Sequence, residues 1–149
     1  MQRASVMLCI SLLAAALPAA AARDSLEVAA SPAVVFLMAP HLAQVEKRSD
    51  VAVSLSAVGS AQAMLDVVDG KARAAAVAMP LAQAVAAARE AAWAEGRMIK
   101  VPDTIQFHEV GRTARDDIPV GFVTVGAPSL ELERVLVQLR ATGDLFIGR

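Results

Sequence analysis

The stretch VAVSLSAVGSAQAMLDVVDGKARAAAVAMPL, Val51 to Leu81, holds the pattern that decides the fold. Val51 to Ala57 alternates with period two, which predicts a strand, and Val58-Gly59-Ser60 is a small-residue turn. Ala61 to Asp69 follows as a helix closed by Gly70. Ala74 to Met79 predicts a buried strand of small residues, and Pro80 opens a helix whose alanine-rich body, Leu81 to Glu95, stops at Gly96. Strand, turn and helix repeated in this way require parallel strands and right-handed crossovers.

Upstream, Leu26 to Ala30 supplies a preceding strand, and Ser31-Pro32 reads as the N-cap and first residue of a helix reaching about Lys47. Pro40 lies inside that helix and predicts a kink or break near Leu37 to Ala39. Downstream the pattern changes. Met98 to Val101 and Thr104 to Val110 look like strands, Gly111 to Pro119 is a charged loop, and Val120 to Val125 is another buried strand. Pro128-Ser129 caps a last helix, Leu130 to Thr142, ended by Gly143, and the closing LFIGR predicts an added edge strand. Trp93, on the alanine-rich helix, is expected to pack against the sheet or a neighbouring helix. The expected fold class is α/β: a single three-layer lobe with a mostly parallel sheet.

The amino end carries a different signal. Arg3, an apolar run from Val6 to Leu17, the helix breaker Pro18 and the small residues Ala20-Ala21-Ala22 before Arg23 make the pattern of a cleavable secretory signal peptide, residues 1–22. The one cysteine, Cys9, lies within the apolar run, away from the position a lipoprotein would need. Removing residues 1–22 leaves 127 of the 149 residues, with no cysteine. It also takes Arg3 from the 14 Lys+Arg, so 13 stand against 15 Asp+Glu. The expected product is one thiol-free, mildly acidic periplasmic domain, 23–149, and the lack of a basic block argues against nucleic acid as a partner.

The places where strands hand over to helices are the candidate chemistry, since backbone N–H groups at a helix start form an anion site. Three such turns occur: Ala30-Ser31-Pro32, Gly59-Ser60-Ala61 and Ala78-Met79-Pro80. In an open parallel sheet they share the carboxyl edge, where ligands of such folds bind. Arg112 and Arg115 offer guanidinium groups, but Asp116 and Asp117 beside them favour a solvated, self-paired loop. His108 reads as a neutral structural histidine and His41 as a surface or partly buried one, and the two have no metal-ligand spacing. No nucleophile elbow, P-loop or zinc-protease motif occurs, so neither an enzyme, a metal nor a cofactor is expected.

The order and spacing of Leu26 to Leu81 resemble the first half of type II periplasmic solute-binding proteins, above all the phosphate-binding proteins of ABC transporters. The resemblance rests on a small-residue turn after the first strand, a Gly-Ser turn opening a short helix that ends in glycine, and a strand running into Pro80-Leu81. It implies a small oxyanion held by hydroxyls and amides at Ser31, Gly59 and Ser60, with Arg112 as a further ligand-binding candidate. Where that family places an aspartate, this chain has Ala78, which removes the acceptor for the proton of a hydrogen phosphate. Such receptors also close two lobes on the ligand, whereas this length supplies one. The implied partners are a small oxyanion, an ABC transporter permease or another envelope protein, and a second copy of the chain. The competing reading keeps the fold as a ligand-free accessory or scaffold protein of the cell envelope.

Overall fold

The computed structural model describes residues 23–142. The expected signal peptide, the stop at Gly143 and the LFIGR strand lie outside these described residues. Strand β1, Asp24–Ala30, alternates between two faces of a sheet: Leu26, Val28 and Ala30 point one way, and Ser25, Glu27 and Ala29 the other. Helix α1, Pro32–Met38, starts at the N-cap Ser31, and a 3-10 turn over Ala39–His41 separates it from α2, Leu42–Ser49. The break is where Pro40 withholds an N–H from the helical ladder. Asp50 then turns the chain with a left-handed backbone, φ 56°, into β2, Val51–Ala57.

Helix α3, Ser60–Val68, returns the chain to β3, and β3 is shorter than its apolar run predicts. Only Ala75–Val77 is strand, because that is the span over which β1 and the later strand β5 reach it from either side. Helix α4, Leu81–Ala94, follows. Met98 to Val101 is not a strand. Met98 faces solvent and Ile99 packs on the cluster beneath α4, so the segment is anchored by one side chain and has no ladder to join. Strands β4, Ile105–Arg112, and β5, Pro119–Val125, form an antiparallel pair, and α5, Leu130–Ala141, completes the described chain.

Among the described residues one mixed sheet of five strands results, in the order β2-β1-β3-β5-β4. The β2–β1 and β1–β3 pairings are parallel and the two involving β5 are antiparallel, so four strands share one direction and β5 opposes them. Helices α1, α2 and α5 cover one face around Leu26, Val28, Val34, Met38, Phe122 and Leu139. Helices α3 and α4 cover the other, where Ala84, Ala88 and Ala92 meet Ala29, Ala75 and Val77. Trp93 does not join this packing. It is 72% exposed, because the alanines at four-residue spacing turn the buried stripe of α4 away from it.

The antiparallel half depends on one absent side chain. A Cβ on Gly121 would lie 2.6 Å from the His108 carbonyl oxygen and 2.6 Å from Cζ of Phe107. The ring could swing aside, but the carbonyl belongs to the ladder and cannot. Gly121→Ala is therefore expected to destabilise the fold by about 1–3 kcal/mol, the usual cost of overpacking, read as a lower denaturant midpoint at unchanged slope.

Candidate functional site

All three strand-to-helix turns lie at the carboxyl edge of β1, β2 and β3, and backbone bonds stitch them together. The Ala30 carbonyl accepts from the N–H of Val58 at 3.0 Å and of Gly59 at 3.3 Å, and the Ser31 N–H donates to the Ala76 carbonyl at 2.9 Å. Ser31 is 4% exposed, and its Oγ accepts from the Val34 N–H at 3.3 Å, capping α1. That hydroxyl acts first on its own helix. Gly59 stands at the start of α3 with φ 92° and ψ 153°, a backbone that a side chain would strain, and nothing lies within 4 Å of where a Cβ would point. Ser60 is half-buried at the first helical position.

The helix starts differ in how their free amides are met. At α1 and α5 a serine caps the helix, and at α5 an acid adds to it: the Glu131 carboxyl is held below its ordinary range by a hydrogen bond from its own backbone N–H and by Ser129. Neither α3 nor α4 has a side-chain cap or an acidic residue in its first turn. These two helices pack side by side and follow β2 and β3, the strands on either side of β1. Two partial positive charges therefore open on one edge without an internal counter-charge.

Arg112 is at the carboxyl end of β4, which runs in the same direction as β1, so it shares that edge. It lies three strands from β1, about 14 Å across the sheet at ordinary strand spacing. Its guanidinium is engaged: Nε donates to Glu109 Oε1 at 3.0 Å, and Nη1 donates to the carbonyl and to Oδ2 of Asp117, each at 3.0 Å. The hydrogen bond to Glu109 and the field of Asp117 raise its pKa further. The fold thus brings Ser31, Gly59 and Ser60 together and sets Arg112 apart. Ala78 packs against the cluster under α1.

A cavity of about 600 Å³ lies elsewhere. It is a groove on the α3 side of the sheet, floored by Ser25, Glu27, Ala29 and Ser56 and walled by Asp66 and the loop Gly70 to Arg73. Its signal in the sequence was the polar alternation of β1 and β2, which marks a half-face left uncovered by a helix among the described residues. Among the described residues, no three His, Cys, Asp or Glu side chains come together as a metal group, and no helix is long and apolar enough to cross a membrane.

His108 points from β4 toward the α5 side, and its Nε2 lies 2.9 Å from Thr124 Oγ1. That hydroxyl donates to the Gly126 carbonyl at 2.8 Å, so its oxygen accepts from His108 and the ring is the neutral Nε2–H tautomer. Desolvation, and then the charge of Arg140, push the His108 pKa below its ordinary 6.5. The unfolded chain therefore takes up this proton first as pH falls. Stability is full above about pH 6.5 and declines as pH drops toward the folded-state pKa. His108→Gln should flatten that decline, measured as the denaturant midpoint across pH 7.5 to 5. Comparison of the chain with protein-family models, with curated proteins and with solved structures found no match.

Proposed function

We propose that this chain is an exported solute-binding-protein-like lobe of the type II periplasmic kind, taking a small, fully ionised oxyanion for an ABC transport system. The observation that carries the reading is the pair of uncapped, acid-free starts of α3 and α4 on one edge. Peptide N–H groups there are free of local competition, and the Ser60 hydroxyl stands beside them. The strand order supports the same place. Strand order reverses about β1: the chain crosses to β2 through α1 and α2 on one face and returns past β1 to β3 through α3 on the other, and ligands of open α/β sheets bind at such a switch point. With Ala78 in place of a carboxylate, no acceptor waits for an anion's proton, so sulfate or molybdate suits the site better than hydrogen phosphate.

The competing reading, a ligand-free accessory protein of the cell envelope, is favoured by a separate observation. The Ser31 hydroxyl is buried and caps α1, and Phe36 on α1 is 81% exposed, an apolar side chain suited to contact with another protein.

Isothermal titration with sulfate, molybdate and phosphate distinguishes the two. The expected result is saturable heat, strongest for the fully ionised anions, with a higher melting temperature in their presence. Ser60→Asp sets a carboxylate on the start of α3. It should abolish the anion heat while leaving the fold as stable or more stable, by about 0.3–1 kcal/mol. No heat with any of the three anions and an unchanged melting temperature would exclude the receptor.

A further inference from the structure

Among the described residues, strand β2 ends the sheet, and its outer edge lacks the usual defending devices. Its seven residues, VAVSLSA, include no charge and no proline, and its register with β1 runs from Asp24↔Val51 to Ala30↔Ala57 without a bulge. Edge strands of natural sheets are commonly blunted by such features, because an open row of N–H and C=O groups templates another strand. The Val58 N–H points inward to Ala30, so by alternation the even-numbered residues bond β1. Val51, Val53, Leu55 and Ala57 then present their backbone groups outward. One guard is present: Glu46, on α2, reaches round so that its Oε1 accepts the Val53 N–H at 2.7 Å.

The sequence of this edge is complementary to itself. Antiparallel pairing about Ser54 sets Val53 opposite Leu55 of a second copy, Val51 opposite Ala57, Ala52 opposite Ser56, and Ser54 opposite Ser54. Apolar residues meet on the face that already packs around Leu26 and Val28, and hydroxyls meet on the polar face. Displaced by one residue, the same strands would set alanine and serine against the apolar row.

We infer that the outer edge of β2 is an interface for a second copy of this chain, paired antiparallel about Ser54 to join two sheets into one, with Glu46 as a latch that yields the Val53 N–H. The dyad stands perpendicular to the sheet, so like faces lie on the same side. The two grooves floored by Ser25, Glu27 and Ser56 then sit next to each other across the dyad, and their walls, α3 and the Gly70 to Arg73 loop, stand apart from the new seam. Paired Ser54 residues occupy a non-hydrogen-bonded position, with Cα atoms about 4.5 Å apart.

The test is sedimentation velocity over a concentration series on protein purified from cells expressing the full coding sequence, with circular dichroism to confirm each variant's fold. A reversible dimer is expected. Ser54 is exposed, so Ser54→Lys keeps the fold, but sets like charges face to face at the dyad and should weaken the dimer several-fold. Glu46→Ala frees the Val53 N–H and should tighten it several-fold. Ser54→Cys should cross-link under mild oxidation, since the expected Cα separation lies within disulfide reach, with peptide mapping placing the bond at position 54 rather than at Cys9. A monomer at every concentration, with Glu46→Ala included, overturns the inference. So does a dimer that Ser54→Lys leaves intact and that does not cross-link at position 54.

Discussion

The end of β1 is the constraint on which the rest of the structure depends. Within two residues the chain gives a carbonyl, Ala30, to the turn after β2 and an amide, Ser31, to β3. Backbone groups in a dry interior have to be paired, and here the pairing leaves little freedom. β2 must end level with β1, β3 must pass on the opposite side, and the three helices that follow must all start on one edge. Were β2 displaced along β1 by a residue, its outward row would turn inward and Val51, Val53 and Leu55 would leave the core. The turn geometry and the hydrophobic pattern therefore enforce the same register.

The two layers built on this frame differ in how they are packed. Beneath α1, α2 and α5 the core holds Leu26, Met38, Phe122, Leu132 and Leu139, and is stabilised mainly by the area it buries. Beneath α3 and α4 it is largely alanine. Small side chains bury less area each, but they let α3 and α4 lie close to one another. That close approach explains why Ala84, Ala88 and Ala92 recur at four-residue spacing while Trp93 is left outside. The thin layer also sets the reach of cover. α3 and α4 sit over β3 and the inner end of β1, and the polar half-face of β1 and β2 stays open as the groove.

Local chemistry was well expressed in the sequence, and long-range pairing was not. Val51 to Ala57 is strand over the span its alternation predicts, Pro40 breaks the first helix where its missing N–H requires, and Ser129 caps the last one. Each of these is decided within a few residues. Met98 to Val101 shows the limit: apolar composition supports a strand, but whether a partner ladder passes beside it is decided by residues far away in the chain. The same holds for β5, whose apolar run gave no sign that it would oppose its neighbours. For the site, the shared edge of Ser31, Gly59 and Ser60 followed from the strand-turn-helix order alone. That Arg112 would lie on the outer strand of that edge, held by Glu109 and Asp117, depended on the order of β5 and β4 in the sheet.

Charge placement gives the carboxyl edge its character. Elsewhere acids and bases are matched close by, as Arg134 with Asp24 and Arg97 with Asp69 show, or a helix start carries its own carboxylate, as α5 does with Glu131. At the starts of α3 and α4 no side chain caps the helix and no acid stands in the first turn, and the Ser60 hydroxyl at the start of α3 carries no charge. A carboxylate at position 78 would have supplied that counter-charge, at the cost of setting an acid against the apolar cluster that Ala78 now joins. Alanine at that position serves the core and leaves the partial positive charges of the two helix starts without a carboxylate beside them.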